Sequence, residues 1–163
     1  MTQVTHAKTP RILQPMEQRR TIEEIIELPA REERIDSAEF VRNKHMLVKR
    51  LDVPCWICGS RERREVHHLH EHAMAPSLDF EKVADTLMAF DPYGYSHHLA
   101  GQAIESMDDI RNLIVLCEEH HRGPGTGAHG ATFDLWLAQR AAKDGVTVAK
   151  ELAGGNAHKG HLH

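Results

Sequence analysis

IRNLIVLCEEHHRGPG, residues 110 to 125, passes from an apolar β-branched run into two acids, two histidines and a Gly-Pro-Gly stop. IRNLIVLC is short, β-branched and apolar, and it leads into EEHHRGPG. Gly123, Pro124 and Gly125 should end any helix that starts in this stretch early. Within this stretch Cys117 and His120 stand two residues apart, and the same spacing occurs upstream in Cys55-Trp56-Ile57-Cys58-Gly59. A Cys-x2-Cys turn lets two thiolates grip one tetrahedral ion, and Cys117 with His120 supplies the missing half. The two knuckles together predict a Cys3His zinc site made of Cys55, Cys58, Cys117 and His120, which also accounts for an odd cysteine count of three. The alternative is that Cys55 and Cys58 are buried apolar thiols or a redox pair, and that Cys117 packs at the end of IVLC.

Working outward, ERREVHHLH before this stretch suits a short strand, and LDVPCWICGS reads as a turn. DSAEFVRNKHMLVKR, residues 36 to 50, carries apolar positions without a stop and predicts a helix. Residues 73 to 108 form a helical insert. In LDFEKVADTLMAF the apolar set Phe80, Val83, Ala84, Leu87 and Met88 falls at helical spacing, and SHHLAGQAIESM reads as a second helical stretch. TFDLWLAQRAAKDG predicts the last helix, with Thr132 as N-cap, Phe133, Trp136, Leu137 and Ala141 on one stripe, and Gly145 at its end. Residues 1 to 35, interrupted by Pro10, Pro15 and Pro29, read as a loosely structured extension. Its one apolar knot, TIEEIIEL, suits a short helix for protein contacts. Residues 36 to 148 form the domain, and 149 to 163 read as a disordered Gly- and His-rich tail.

The chain has 163 residues, 5% aromatic and 27% charged, so the expectation is one domain whose modest core rests on aliphatic side chains. No apolar stretch approaches the ~20 residues of a membrane span. The expectation is a soluble, intracellular protein in a reducing compartment. A net charge of -4 is unlike that of a strong nonspecific nucleic-acid binder. Locally the balance differs, since Lys49, Arg50, Arg61, Arg63 and Arg64 outnumber Asp52 and Glu62 beside the first knuckle. They are candidates for phosphate contact, although a solvated surface explains any single one of them.

REVHHLHEHAM, residues 64 to 74, places His67, His68, His70 and His72 within six positions. With the Cys pair before it and RNLIVLCEEHH after it, this stretch resembles the zinc-containing branch of the HNH endonuclease family, over roughly residues 52 to 123. The resemblance implies an α+β fold: a small ββα-metal finger with a Cys3His zinc knuckle, flanked by helices and carrying the helical insert. It implies that His67 and His121 hold a catalytic metal, that His68 is the general base, and that Asn112 orients the base or its loop. Adjacent histidines then have separate duties, one on the cation and one accepting a proton from water, for which an unperturbed imidazole is suited near neutral pH. The catalytic ion would be Mg²⁺ or Mn²⁺, with Ni²⁺ or Zn²⁺ as alternatives, and the structural Zn²⁺ would be separate.

The implied activity is metal-dependent hydrolysis of DNA, most simply double-stranded, by an endonuclease or nickase. Small proteins of this type resemble phage or mobile-element products, which implies the cytoplasm of a bacterial or phage-infected cell. The rival is a non-catalytic zinc-stabilised module that binds protein or nucleic acid, favoured by the acidic charge and the early Gly-Pro-Gly. Where some relatives have another histidine four residues after the last motif histidine, this chain has Gly125. His129 is then either a substitute ligand or a loop histidine near the last helix. His70 and His72 share strand parity with His68 and read as surface histidines, or one of them contacts phosphate. His97 and His98 read as helix-start residues, with a substrate role as the weaker option. The insert either packs against the finger or caps the substrate cleft.

Overall fold

In the computed structural model, residues 36–142 and 144–145 are described, the side chains of Ala73 and Leu135 excepted. The expectations for the N-terminal extension, for the TIEEIIEL helix and for the 149–163 tail lie outside these residues. The described part is a small mixed α+β domain. Its sheet has two antiparallel strands, β1 (Arg64–His68) and β2 (Leu113–Cys117), paired from Arg64↔Cys117 to His68↔Leu113.

Every residue of β2 is buried, and the reason is that the strand has a cluster on each face. Ile114 and Leu116 pack with Cys55, Ile57, Cys117 and Trp136. Leu113 and Val115 pack with Phe40, Leu47 and Val66. A strand covered on both sides reads as a continuous apolar run, so LIVLC shows no alternation. Strand β1 does alternate. Residues directly opposite one another share a face, so His67 lies on the side of Ile114, and His68 lies with Val66 on the side of Leu113 and Phe40.

Helix α1 (Ala38–His45) starts at Ser37, whose hydroxyl accepts from the Phe40 N–H at 2.9 Å. It continues as a π-helical turn, Met46–Arg50, which buries Leu47. In the insert, α2 (Phe80–Ala89) is capped by Asp79 and buries Val83 and Leu87 against Ile104 and Met107. This third cluster includes Leu69, so the insert packs on the chain just after β1. The second expected helix of the insert is corrected: only α3 (Tyr95–His98) forms, a single turn. Gly101, with φ +84, adopts the left-handed conformation that a helix cannot continue through.

Helix α4 (Glu118–Arg122) follows β2 directly and stops at Gly123, as the Gly-Pro-Gly predicts. A side chain at Gly123 would put its Cβ 2.3 Å from the Glu119 carbonyl oxygen, and one at Gly127 would lie 2.6 Å from the Gly123 nitrogen. Glycine alone permits this tight return of the chain. The last helix, α5 (Phe133–Arg140), is shorter than expected and ends at Ala141, not at Gly145. Thr132 occupies the cap position without a side-chain cap bond, and Phe133 is exposed, so the expected stripe reduces to Trp136 and its neighbours. Among the described residues, no helix is long and apolar enough to cross a membrane.

Candidate metal centres

The two knuckles converge. Cys55 lies in the turn before β1, and Gly59, at φ +74, allows that turn to close with its N–H donating to the Cys55 carbonyl. The Trp56 N–H donates to the Val115 carbonyl at 2.9 Å, which fastens the first knuckle beside the strand that ends in the second. Cys55, Cys58, Cys117 and His120 bring four donor atoms within 4.8 Å of one another, a group that could hold a metal ion such as zinc. Cys58 Sγ and Cys117 Sγ are 3.8 Å apart. Two sulfurs at ~2.3 Å from one tetrahedral ion are separated by roughly that distance. His120 Nδ1 lies 3.1 Å from Cys117 Sγ and 3.8 Å from Cys55 Sγ. All three cysteines are free thiols.

Protonation fits the same donor set. Burial raises the thiols of Cys58 and Cys117, and a charge on Cys55 raises them further. Burial also works against the Cys55 charge, but the hydrogen bond to His120 and those from the knuckle backbone outweigh it and bring this thiol down. Without a cation, one thiolate discourages the other two. A divalent ion is what lets all three ionise together.

A second group stands on the other end of α4. His67, His121 and His129 also bring their ligand atoms within 4.8 Å of one another. His67 reaches this place from β1, on the face it shares with Glu65. His121 comes from α4, and the glycine-rich return delivers His129, with Ala128 N–H on the His120 carbonyl and His129 N–H on the His121 carbonyl. His121 Nε2 and His129 Nε2 are 3.2 Å apart. Two imidazole nitrogens bound tetrahedrally at ~2.0–2.1 Å sit roughly 3.3 Å apart, so the spacing fits one ion. His129, the weaker option for a third ligand from sequence, is therefore in the group.

Glu65 stands behind this cluster. Its carboxylate accepts from His121 Nδ1 at 2.5 Å and from Arg122 Nε at 2.9 Å. Burial opposes its charge, but these bonds prevail and hold the carboxyl below its ordinary range. The arrangement fixes the His121 ring with Nε2 toward the other two histidines, as an outer carboxylate does for a metal-bound imidazole.

His67 is held at about 3, far below the usual imidazole value, first by burial and then by the neighbouring imidazoles of His121, His129 and His68. It is therefore neutral, the form that binds a cation. Above pH 6.5, the ordinary value, His67 is neutral folded or unfolded and has no effect on stability. Between 6.5 and about 3 the unfolded chain takes the proton and the folded chain does not, so stability falls as the pH falls. With a single equivalent of zinc bound, the thermal midpoint should decline from pH 7 toward 5, and His67→Asn should flatten part of that decline. Identical slopes would contradict the assignment.

His68 is elsewhere. It faces the Phe40 cluster at 5% exposure, with its ring stacked on Phe40 at 5.0 Å. Its Nε2 lies 2.8 Å from Asp108 Oδ1. The sequence reading missed Asp108, whose only signal is its place in DDIRN just before the strand. Asn112 is fully buried and holds the loop after β1, not the His68 ring: its amide donates to the carbonyls of His70 and Met107, and its oxygen accepts from the His70 N–H and lies 3.2 Å from His70 Nδ1. The shared strand parity of His70 and His72 with His68 is corrected, because β1 ends at His68 and His72 begins a 3-10 turn, His72–Ser77. His97 donates both its N–H and Nδ1 to Asp91, a local cap of α3.

The basic residues near the first knuckle are largely paired. Arg61 and Arg64 bridge to Asp52 and Arg63 to Glu118, while Lys49 and Arg50 are exposed. No family model, no curated protein and no solved structure matches the chain.

Proposed function

We propose that the protein is a metal-dependent DNA endonuclease or nickase of the HNH type. The observation that carries this reading is the His67, His121 and His129 cluster, backed by Glu65 and set beside the Cys3His group on a strand-strand-helix unit. Three donors with at least one position open is the pattern of a catalytic site, whereas four donors closed around an ion is structural. Structural zinc in the Cys3His group fastens β1, β2 and α4 together. His67, His121 and His129 would hold the cation, which would supply positive charge to stabilise the charge that develops during phosphodiester hydrolysis. Three imidazoles, one more than the motif alone implies, move the preference from Mg²⁺ toward Mn²⁺, Ni²⁺ or Zn²⁺.

The remaining roles belong to the chain. His67 and His121 orient the site, and Glu65 holds the His121 ring. His68 lies on the opposite face of β1 from His67, so this reading requires the packing of Phe40 and Asp108 around His68 to open when DNA binds. Neutral His68 takes a proton from water. The water oxygen forms the new bond to phosphorus, the bond to the departing oxygen breaks, and that oxygen is protonated from solvent. Asn112 holds the loop that follows the strand, and exposed Lys49 and Arg50 favour the DNA backbone.

The burial of His68 favours a second reading, a non-catalytic zinc-stabilised module that binds protein or nucleic acid. Incubating supercoiled plasmid with the purified chain and a panel of divalent metals separates the two. Metal-dependent nicking that is absent from His68→Ala supports the nuclease. No cleavage with any metal moves the conclusion to the binding module.

A further inference from the structure

We propose that Arg122 binds a phosphate oxygen of the DNA backbone beside the histidine cluster, so that the site offers the phosphodiester a guanidinium as well as a cation. This deepens the nuclease reading, on which the role of Arg122 in cleavage rests.

Arg122 directly follows His121 on α4, and both side chains end on one carboxylate. Glu65 Oε2 accepts from His121 Nδ1 at 2.5 Å and from Arg122 Nε at 2.9 Å, while Glu65 Oε1 accepts from Arg122 Nη2 at 2.5 Å. The guanidinium is thus gripped along its Nε–Nη2 edge by a two-point pairing, which fixes the plane of the whole group. That pairing uses two of the five N–H donors an arginine carries. A second carboxylate, Glu118, stands 3.6 Å from Nη2 and is paired more closely with Arg63, at 3.0 Å. The Arg122 side chain is 57% exposed, so a group held in one orientation is open to a ligand.

An exposed ion pair contributes little to stability, so the pairing alone does not account for this arrangement. Charge does. Three neutral imidazoles add nothing to the charge of an ion they hold, and among the described residues Glu65 is the carboxylate hydrogen-bonded to them. Arg122 cancels that negative charge, and an anion then approaches the cation unopposed. The fork of a guanidinium can pair with a carboxylate along one edge and with phosphate along another, which the point charge of a lysine cannot reproduce. The other cations lie elsewhere or are committed. Arg61 and Arg64 pair with Asp52, and Lys49 and Arg50 belong to the π-helical continuation of α1, whose Phe40 packs on the opposite face of β1.

The test reads DNA affinity and metal affinity separately, because a residue that merely steadied Glu65 would act on the metal through His121. Fluorescence anisotropy of a labelled DNA duplex with the full chain, after mild chelation, needs no cleavage. Arg122→Gln should bind about tenfold more weakly, and the slope of log Kd against log salt should fall by about 0.9, the share of one phosphate contact. Arg122→Lys should keep the salt slope and recover only part of the affinity. In plasmid cleavage, Arg122→Gln should lower kcat/KM by about tenfold or more, with the Mn²⁺ concentration for half-saturation within about twofold of the wild type. Glu65→Gln, which disturbs His121, should raise that concentration instead. Unchanged duplex affinity and salt slope in Arg122→Gln, or a loss confined to a higher Mn²⁺ requirement, overturns the proposal while the nuclease reading stands. A wild-type chain that cleaves with no metal, yet loses affinity and salt slope in Arg122→Gln, keeps the phosphate contact and removes the nuclease reading. A wild-type chain that binds no duplex overturns both.

Discussion

Cys117→Ala should purify without tightly held zinc and without a cooperative thermal transition. Cys117 ends β2 and directly precedes α4, and its sulfur lies against both Cys58 and His120, so its loss opens the Cys3His group at the point where strand and helix join. The expected magnitude follows from a comparison. Structural zinc in small finger peptides is worth about 10–16 kcal/mol, while a whole domain is stable by about 5–15 kcal/mol. Losing half of the zinc contribution, about 5–8 kcal/mol, is comparable with the entire stability of a domain whose aliphatic core is modest. Elemental analysis and circular dichroism melts read the two consequences separately. A variant that is zinc-free yet melts at the wild-type temperature would remove the structural role of the site.

The second large effect distinguishes the paired histidines. His68→Ala should lose roughly 10²-fold or more in cleavage rate at every metal concentration, because it removes the proposed proton acceptor. His67→Ala should weaken metal binding, so its rate should recover in part as Mn²⁺ or Zn²⁺ is raised. The two rings are on opposite faces of one strand, His67 toward His121 and His129 and His68 toward Phe40 and Asp108. The two substitutions therefore disturb different surroundings, and both variants should keep the Cys3His group. If metal rescued both variants equally, the division of roles would be wrong.

Spacing made the Cys3His group legible from sequence, because two x2 knuckles can close on one ion only if the intervening chain returns, and the β1–β2 pairing returns it. Strand β2 was legible only in part: IRNLIVLC reads as short, β-branched and apolar, whereas the clusters on both of its faces come from elements distant in sequence. The orientation of His68 was harder to see. Period-two alternation places adjacent strand residues on opposite faces, yet the motif treats His67 and His68 as one unit, and only the positions of Phe40 and Asp108 show how the second ring is surrounded.

His129 was ambiguous because its approach to His121 depends on the backbone path of residues 123–130. Gly123 and Gly127 permit that path through contacts no side chain could make, a property that composition does not reveal. The SHHLAGQAIESM stretch misled because its apolar content suits a helix, whereas the left-handed backbone at Gly101 decides otherwise.

The most direct test of the central claim is cleavage of supercoiled plasmid after mild chelation, with one divalent metal at a time added back to the wild-type chain and to His121→Ala. The predicted result is that chelation removes an exchangeable ion and all cleavage while about one zinc per chain remains, and that adding metal restores nicking in the wild type but not in His121→Ala. Cleavage that survives chelation, or that is restored equally in His121→Ala, would contradict a metal-dependent site built on His67, His121 and His129.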